Sequence, residues 1–204
     1  MLNRLITHGC SFTYGEELID PKNQSWPAVL SRALNVELIN LAKCAYSNDG
    51  IIHDIVTFDF KEGDLVIIGW THTHRLMFVD NNGWYTTLPF YNNVSEYKHR
   101  ETIAKLILET SSDKWLYERW LGQVLLLQHY FNSKKIPFLF FNVFNNFDNH
   151  HPLINLINKS TFVEWETFNF YEFSKGSLLP RNHPDINAHN ALAQKLLIHY
   201  NGIK

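Results

Sequence analysis

Gly63-Asp64-Leu65-Val66-Ile67-Ile68-Gly69 is a continuous apolar run closed at both ends by glycine. Alternation of apolar and polar residues would mark a strand with one wet face. Its absence predicts a strand buried on both faces, the situation of a parallel sheet covered by helices on either side. Ile136 to Val143 repeats the pattern, Leu2 to Thr7 reads as a first strand, and Val36-Glu37-Leu38-Ile39-Asn40-Leu41 alternates like a second. Helical spacing fills the intervals. Ser25-Trp26-Pro27 opens a helix through Leu34, with serine as the cap and proline tolerated in the first turn. Ser47 caps a helix carrying Ile51, Ile52, Ile55 and Val56. Ser111-Ser112-Asp113 caps a long helix with Trp115, Leu116, Trp120, Leu121, Val124, Leu125 and Gln128 at helical spacing, and Ile186 to Tyr200 closes the chain. Strands separated by helices predict parallel pairing and a three-layer α/β/α sandwich.

A chain of 204 residues suits one domain with a core large enough to need no staples. Eighteen basic against twenty acidic residues leave a formal charge of −2, so no field is available to hold nucleic acid. Cys10 and Cys44 form no metal-like spacing, which favours a reduced compartment. No run reaches membrane-spanning length and the start lacks a basic-then-apolar leader, so the sequence reads as soluble and cytoplasmic. Leu76 to Leu88, with Asn81-Asn82-Gly83 inside it, reads as a hairpin followed by a helix before Glu109. This insertion, about residues 75–110, leaves the C-terminal end of a buried strand, where loops border a ligand crevice. The stretch from Asn145 to Gly176 is a second long connection.

Chemistry-bearing residues stand at element boundaries near both ends. Thr7-His8-Gly9-Cys10-Ser11-Phe12-Thr13-Tyr14-Gly15 follows the first strand and delivers a serine into a turn. His183-Pro184-Asp185-Ile186-Asn187-Ala188-His189 sets a histidine just before the last helix. Such a pair is the layout of a hydrolase in which histidine takes the proton of a serine nucleophile. The bland alternatives are a serine that satisfies turn amides and a histidine that caps a helix.

These segments resemble the SGNH/GDSL hydrolases, esterases and acyl hydrolases on a flavodoxin-like sheet. Gly9 to Gly15 is similar to their first block, with Cys10 in place of the usual aspartate and Ser11 as the implied nucleophile. Asn40-Leu41-Ala42-Lys43-Cys44-Ala45-Tyr46-Ser47-Asn48 looks like the second block, with Ala45 where the family carries glycine. The third block falls at Asp64 to His72, where Thr71 or His72 stands near the position of the family asparagine. His183-Pro184 matches the last block, but the family aspartate three residues earlier is Pro180. The resemblance implies a cofactor-free, metal-free serine hydrolase acting on a small-molecule ester or an acylated carbohydrate. A binding module without turnover and an acyltransferase are the alternatives.

With Pro180 unable to orient the histidine, the expectation is a Ser11/His183 dyad, its ring steadied by Asn182 or by a carbonyl near Leu179, with Asp185 capping the last helix. The oxyanion donors expected are the N–H groups of Ser11 and Ala45, with Thr71 or His72 as a third. His72 and His74, alternating on an extended segment, otherwise form a surface pair or a weak metal site, and His150-His151 is a poorer metal candidate. Arg75 either binds an anionic substrate group or pairs with a carboxylate at the edge of the core. Trp84 and Tyr85, with Phe90, Tyr91 and Trp165, either stack on substrate or pack the insertion onto the body. Trp115 and Trp120 read as core or helix-face residues.

Overall fold

The computed structural model describes residues 2–81, 83–87, 98–145 and 151–202. In chain order the elements are β1 (Arg4–His8), α1 (Ser11–Tyr14), α2 (Pro21–Gln24), α3 (Trp26–Leu34), β2 (Glu37–Asn40), α4 (Asn48–Val56), β3 (Asp64–Trp70), β4 (Leu76–Asp80), β5 (Gly83–Thr87), α5 (Lys98–Thr110), α6 (Asp113–Lys134), β6 (Phe138–Asn142), α7 (Phe170–Phe173) and α8 (Ile186–Gly202). The main sheet runs β2-β1-β3-β6 with every neighbouring pair parallel.

The period of two along each strand divides the core. Leu5, Leu65, Ile67, Leu139 and Phe141 point to one face, where Trp26 and Leu30 of α3 and Leu192 and Leu196 of α8 cover them. Ile6, Val66, Ile68, Trp70, Phe138 and Phe140 point to the other, under Ile51 and Ile55 of α4 and Trp120, Leu121, Val124 and Leu127 of α6. All seven residues of β3 are buried, as the unbroken apolar run requires. The result is the three-layer α/β/α sandwich with a parallel, flavodoxin-like strand order. Trp120 is fully buried, whereas Trp115 is 49% exposed and belongs to the outer face of α6.

Local signals act largely as the side-chain chemistry dictates. Ser47 and Ser112 accept the N–H groups of Gly50 and Trp115 and cap α4 and α6. Ser25 occupies the N-cap position of α3 without a side-chain cap hydrogen bond; there His189 Nδ1 accepts the N–H of Trp26 instead (3.0 Å). β4 and β5 form an antiparallel hairpin outside the main sheet. Asp49 of α4 fastens that hairpin to the body: its carboxylate accepts the Met77 N–H (3.0 Å) and Gln123 Nε2 (3.0 Å) and pairs with Arg119. Among the described residues no helix is long and apolar enough to cross a membrane.

Candidate active site

β1 ends at His8, and the chain turns through Gly9 and Cys10 into the single helical turn that begins with Ser11. A Cβ on Gly9 would lie 2.3 Å from Thr13 Oγ1, and one on Gly69 would lie 2.6 Å from the Phe141 ring and 3.0 Å from the same Thr13 oxygen. Both glycines are therefore needed for α1 to sit directly on the strand ends. Ser11 is buried, and its carbonyl accepts the N–H groups of Gly15 (2.9 Å) and Glu16 (3.0 Å). Gly15 and Glu17 adopt left-handed conformations, φ 87° and 69°, which turn Glu16 and Glu17 back beside the serine turn.

His183 reaches the same edge from the other end of the chain. A tight turn closed by Leu179 N–H to the His183 carbonyl (2.7 Å) and Asn182 N–H to the Leu179 carbonyl (2.9 Å) presents it. Its Nδ1 lies 2.7 Å from Glu17 Oε2. The Glu17 carboxylate also accepts the N–H groups of Arg181 (3.0 Å) and His183 (3.3 Å). The ring partner is thus Glu17, neither Asn182 nor a carbonyl near Leu179. The Leu179 carbonyl accepts the Asn182 N–H within the turn. Asp185 faces α8, where it accepts the Ala188 N–H (2.9 Å). Burial alone would raise the Glu17 carboxyl, but the hydrogen bonds from His183 and from the two backbone N–H groups outweigh it and hold the group below its ordinary range. A carboxylate at Nδ1 makes that nitrogen the donor and leaves the Nε2 lone pair of the neutral ring free. The Phe12 ring packs on the imidazole at 5.5 Å between centroids. Glu16 Oε2 stands 3.8 Å from Nε2, and no hydrogen bond joins the Ser11 hydroxyl to the ring.

Ala45 sits in the left-handed region (φ 59°), where glycine would be unstrained. Among the described residues no acceptor takes the N–H of Ser11 or of Ala45. The residues flanking the Ala45 turn are tied to one carboxylate. Asp54 Oδ2 accepts Lys43 Nζ (2.7 Å), the Tyr46 hydroxyl (3.0 Å) and His8 Nε2 (3.2 Å), and the His8 ring stacks on Tyr46. Asn48 locks the turn to the end of β3 through its side chain, which accepts the Thr71 N–H (3.0 Å) and donates to the Thr71 carbonyl (3.1 Å).

The remaining sequence candidates distribute unevenly. His72 and His74 do not alternate on a strand: their Nδ1 atoms meet at 3.0 Å, and His74 Nε2 lies 3.0 Å from Asp113. Burial, with the nearby charges of His74 and Arg75, pushes the His72 ring down to about 4, so it is neutral at pH 7. Thr71 Oγ1 accepts Arg75 Nη1 (2.8 Å). Arg75 also packs over the Phe144 ring (5.7 Å), which touches both Phe12 and His72. His151 caps a short turn by accepting the Leu153 N–H. Trp165 packs in the core against Trp120 and Phe162. Trp84 and Tyr85 belong to β5, but their side chains, like Phe90, Tyr91 and His150, lie outside the described residues.

Glu17 is the residue that sequence reasoning missed. Glu16 and Glu17 carry no motif of their own. The one available signal was their position, directly behind a candidate nucleophile.

The model of a family of unknown function, DUF6071, matches residues 16–158, and the chain belongs to that family. No curated protein matches. Among solved structures, the chain is similar to TesA (TM-score 0.60, 12% identity, 99% of this chain and 100% of that one). It is also similar to a protein assigned to the lipolytic G-D-S-L family from Desulfitobacterium hafniense DCB-2 (TM-score 0.55, 14% identity, 97% and 99%). A third is a carbohydrate esterase whose active site is described as displaying divergent catalytic and non-catalytic binding functions (TM-score 0.55, 12% identity, 98% and 65%). At these identities the likeness is one of fold alone, the three-layer α/β/α sandwich.

Proposed function

We propose that this DUF6071 member is a serine ester hydrolase whose working groups are Ser11, His183 and Glu17, acting on a small-molecule ester such as an acylated carbohydrate. The observation that carries this reading is the 2.7 Å contact between Glu17 Oε2 and His183 Nδ1. It supplies the carboxylate that Pro180 cannot, from the turn that follows the serine.

A serine hydroxyl is a poor nucleophile until a base removes its proton. In the proposed cycle the ester carbonyl binds over Ser11, and Oγ attacks it while His183 Nε2 takes the hydroxyl proton. Glu17 holds Nδ1–H, fixing the tautomer and balancing the imidazolium that forms. The N–H groups of Ser11 and Ala45 stabilise the developing oxyanion, and each such donor is worth roughly 3 kcal/mol. The imidazolium then protonates the departing alcohol. Water, deprotonated by the same ring, cleaves the acyl-serine. The cycle requires the Ser11 hydroxyl and His183 Nε2 to come within hydrogen-bond reach. The insertion at 75–110 is proposed as one wall of the pocket, and the compartment as cytoplasmic. The carbohydrate esterase among the fold neighbours supports the substrate class.

Purified protein should hydrolyse a short activated ester, and Ser11→Ala should reduce kcat by at least about a thousandfold with the thermal midpoint nearly unchanged. The second reading is a binding module without turnover, favoured by the missing Ser11 to His183 hydrogen bond and the carboxylate of Glu16 near Nε2. Equal background rates for wild type and Ser11→Ala across a panel of acyl esters would select it.

A further inference from the structure

Arg4, Arg119 and Arg181 each face a carboxylate, on Asp64, Asp49 and Glu16 with Glu17 respectively. Arg75 is half-buried and, among the described residues, faces none. Its Nη1 is held by Thr71 Oγ1 (2.8 Å) and the Tyr46 carbonyl (3.5 Å), and its plane lies over Phe144. The sequence left open whether this arginine pairs with a carboxylate at the core edge, and among the described residues no such partner is present. A guanidinium fixed by two neutral acceptors and, among the described residues, by no carboxylate is suited to receive an anion from outside the chain. With Nη1 engaged, the Nε–Nη2 edge remains, and two parallel N–H groups match the two oxygens of a carboxylate.

Its place ties this edge to the candidate active site. Tyr46 follows the Ala45 donor, and Phe144, under the guanidinium, stacks edge-on against Phe12 next to Ser11 (5.2 Å). The neutral His72 adds no competing positive charge nearby. Glu16 and Glu17 are engaged with His183 and Arg181 and make no ion pair with Arg75. We infer that Arg75 is a specificity residue that receives a carboxylate carried by the substrate, so that the preferred substrate is an ester bearing a second, anionic group. This rests on the ester-hydrolase reading above.

The test compares mono(4-nitrophenyl) adipate with 4-nitrophenyl hexanoate, acyl chains of matched length that differ in a terminal carboxylate. Wild type should favour the adipate at least tenfold in kcat/KM, and Arg75→Gln, which retains a donor for Thr71, should bring that ratio close to one. Hydrogen bonds to charged groups are strong enough for a change of roughly ten- to a hundredfold. Equal rates in wild type, or equal loss on both esters in Arg75→Gln, overturn the inference and make Arg75 a structural residue. Calorimetric binding of adipamate and hexanamide to Ser11→Ala separates the two readings. Preference for adipamate without turnover of any ester by wild type sustains the anion site and sinks the hydrolase. Equal binding, or none, sinks the anion site whatever the esterase result.

Discussion

Replacing Glu17 by glutamine is the most informative single change, because it alters charge and hydrogen at one atom while preserving shape. The native carboxylate accepts from His183 Nδ1 at 2.7 Å and from the N–H groups of Arg181 and His183. An amide has one accepting oxygen and one donating nitrogen. If the oxygen keeps the backbone N–H groups, the NH2 faces Nδ1 and makes it an acceptor. The mobile proton then sits on Nε2, where it cannot take another from Ser11. Wrong-tautomer substitutions of this kind cost about 10⁴ in kcat in a serine protease triad, and a similar loss is expected here. Exchanging a charge-assisted hydrogen bond for a neutral one should also cost roughly 1–2 kcal/mol of stability at neutral pH. The sign of its pH dependence follows from the lowered Glu17 value: the contribution is present above the ordinary glutamate range and is lost as pH falls through the folded value. Glu17→Gln should therefore flatten the acid side of the stability curve. The assay is kcat/KM on an activated ester beside urea unfolding at several pH values, with imidazole ¹⁵N shifts reporting the tautomer. A folded Glu17→Gln protein within tenfold of wild-type kcat and with an unchanged tautomer would refute the reasoning.

Two further outcomes are expected. His189 is fully buried, accepts the Trp26 N–H, and is pushed by burial down to about 4 from 6.5. Its neutral form is the folded one, so stability should fall by up to ~3 kcal/mol as pH drops from about 6.5 to 4, and His189→Gln should remove most of that slope in urea titrations. Asp54→Asn should loosen the turn of Ala45, lowering kcat roughly ten- to a hundredfold with little change in KM. Ala45→Gly in that background should restore part of the loss, since glycine holds φ 59° without strain; no restoration would mean that Asp54 acts on stability alone.

The fold was legible because its signal is a pattern repeated over many residues. Leu65 to Ile68 and Phe138 to Phe141 are buried on both faces, and a run without polar interruption has few other solutions. The caps of α4 and α6 were legible because Ser47 and Ser112 act within three residues. The candidate site was legible only where a residue type stands alone at an element boundary, as Ser11 and His183 do. Glu17 was not, since its partner is 166 residues away and nothing local marks an acceptor. The same holds for Arg75, whose proposed role depends on its having no carboxylate partner among the described residues, which no local pattern marks. Ser25 misled for a related reason: it stands at the N-cap of α3 without a side-chain cap bond, and that end of the helix is held by His189, 163 residues away, through the Trp26 N–H.

Moving the orienting carboxylate from the histidine turn to the serine turn changes how the site is held together. A carboxylate three residues before the histidine would travel with it, and the pair would be set by one loop. Here the pair forms only when the C-terminal turn docks on the loop after α1, and three hydrogen bonds to Glu17 are part of that docking. A glutamate suits the longer reach, and its left-handed backbone aims the side chain across the gap. Close behind, His189 ties the first turn of α8 to the start of α3, so the two ends of the chain are stapled at two points on adjacent turns. Orientation of the proposed base and closure of the sandwich are then one event. Substitutions that loosen α8 from α3 should accordingly lower turnover before they unfold the sheet, because the imidazole loses its partner as soon as the turn lifts.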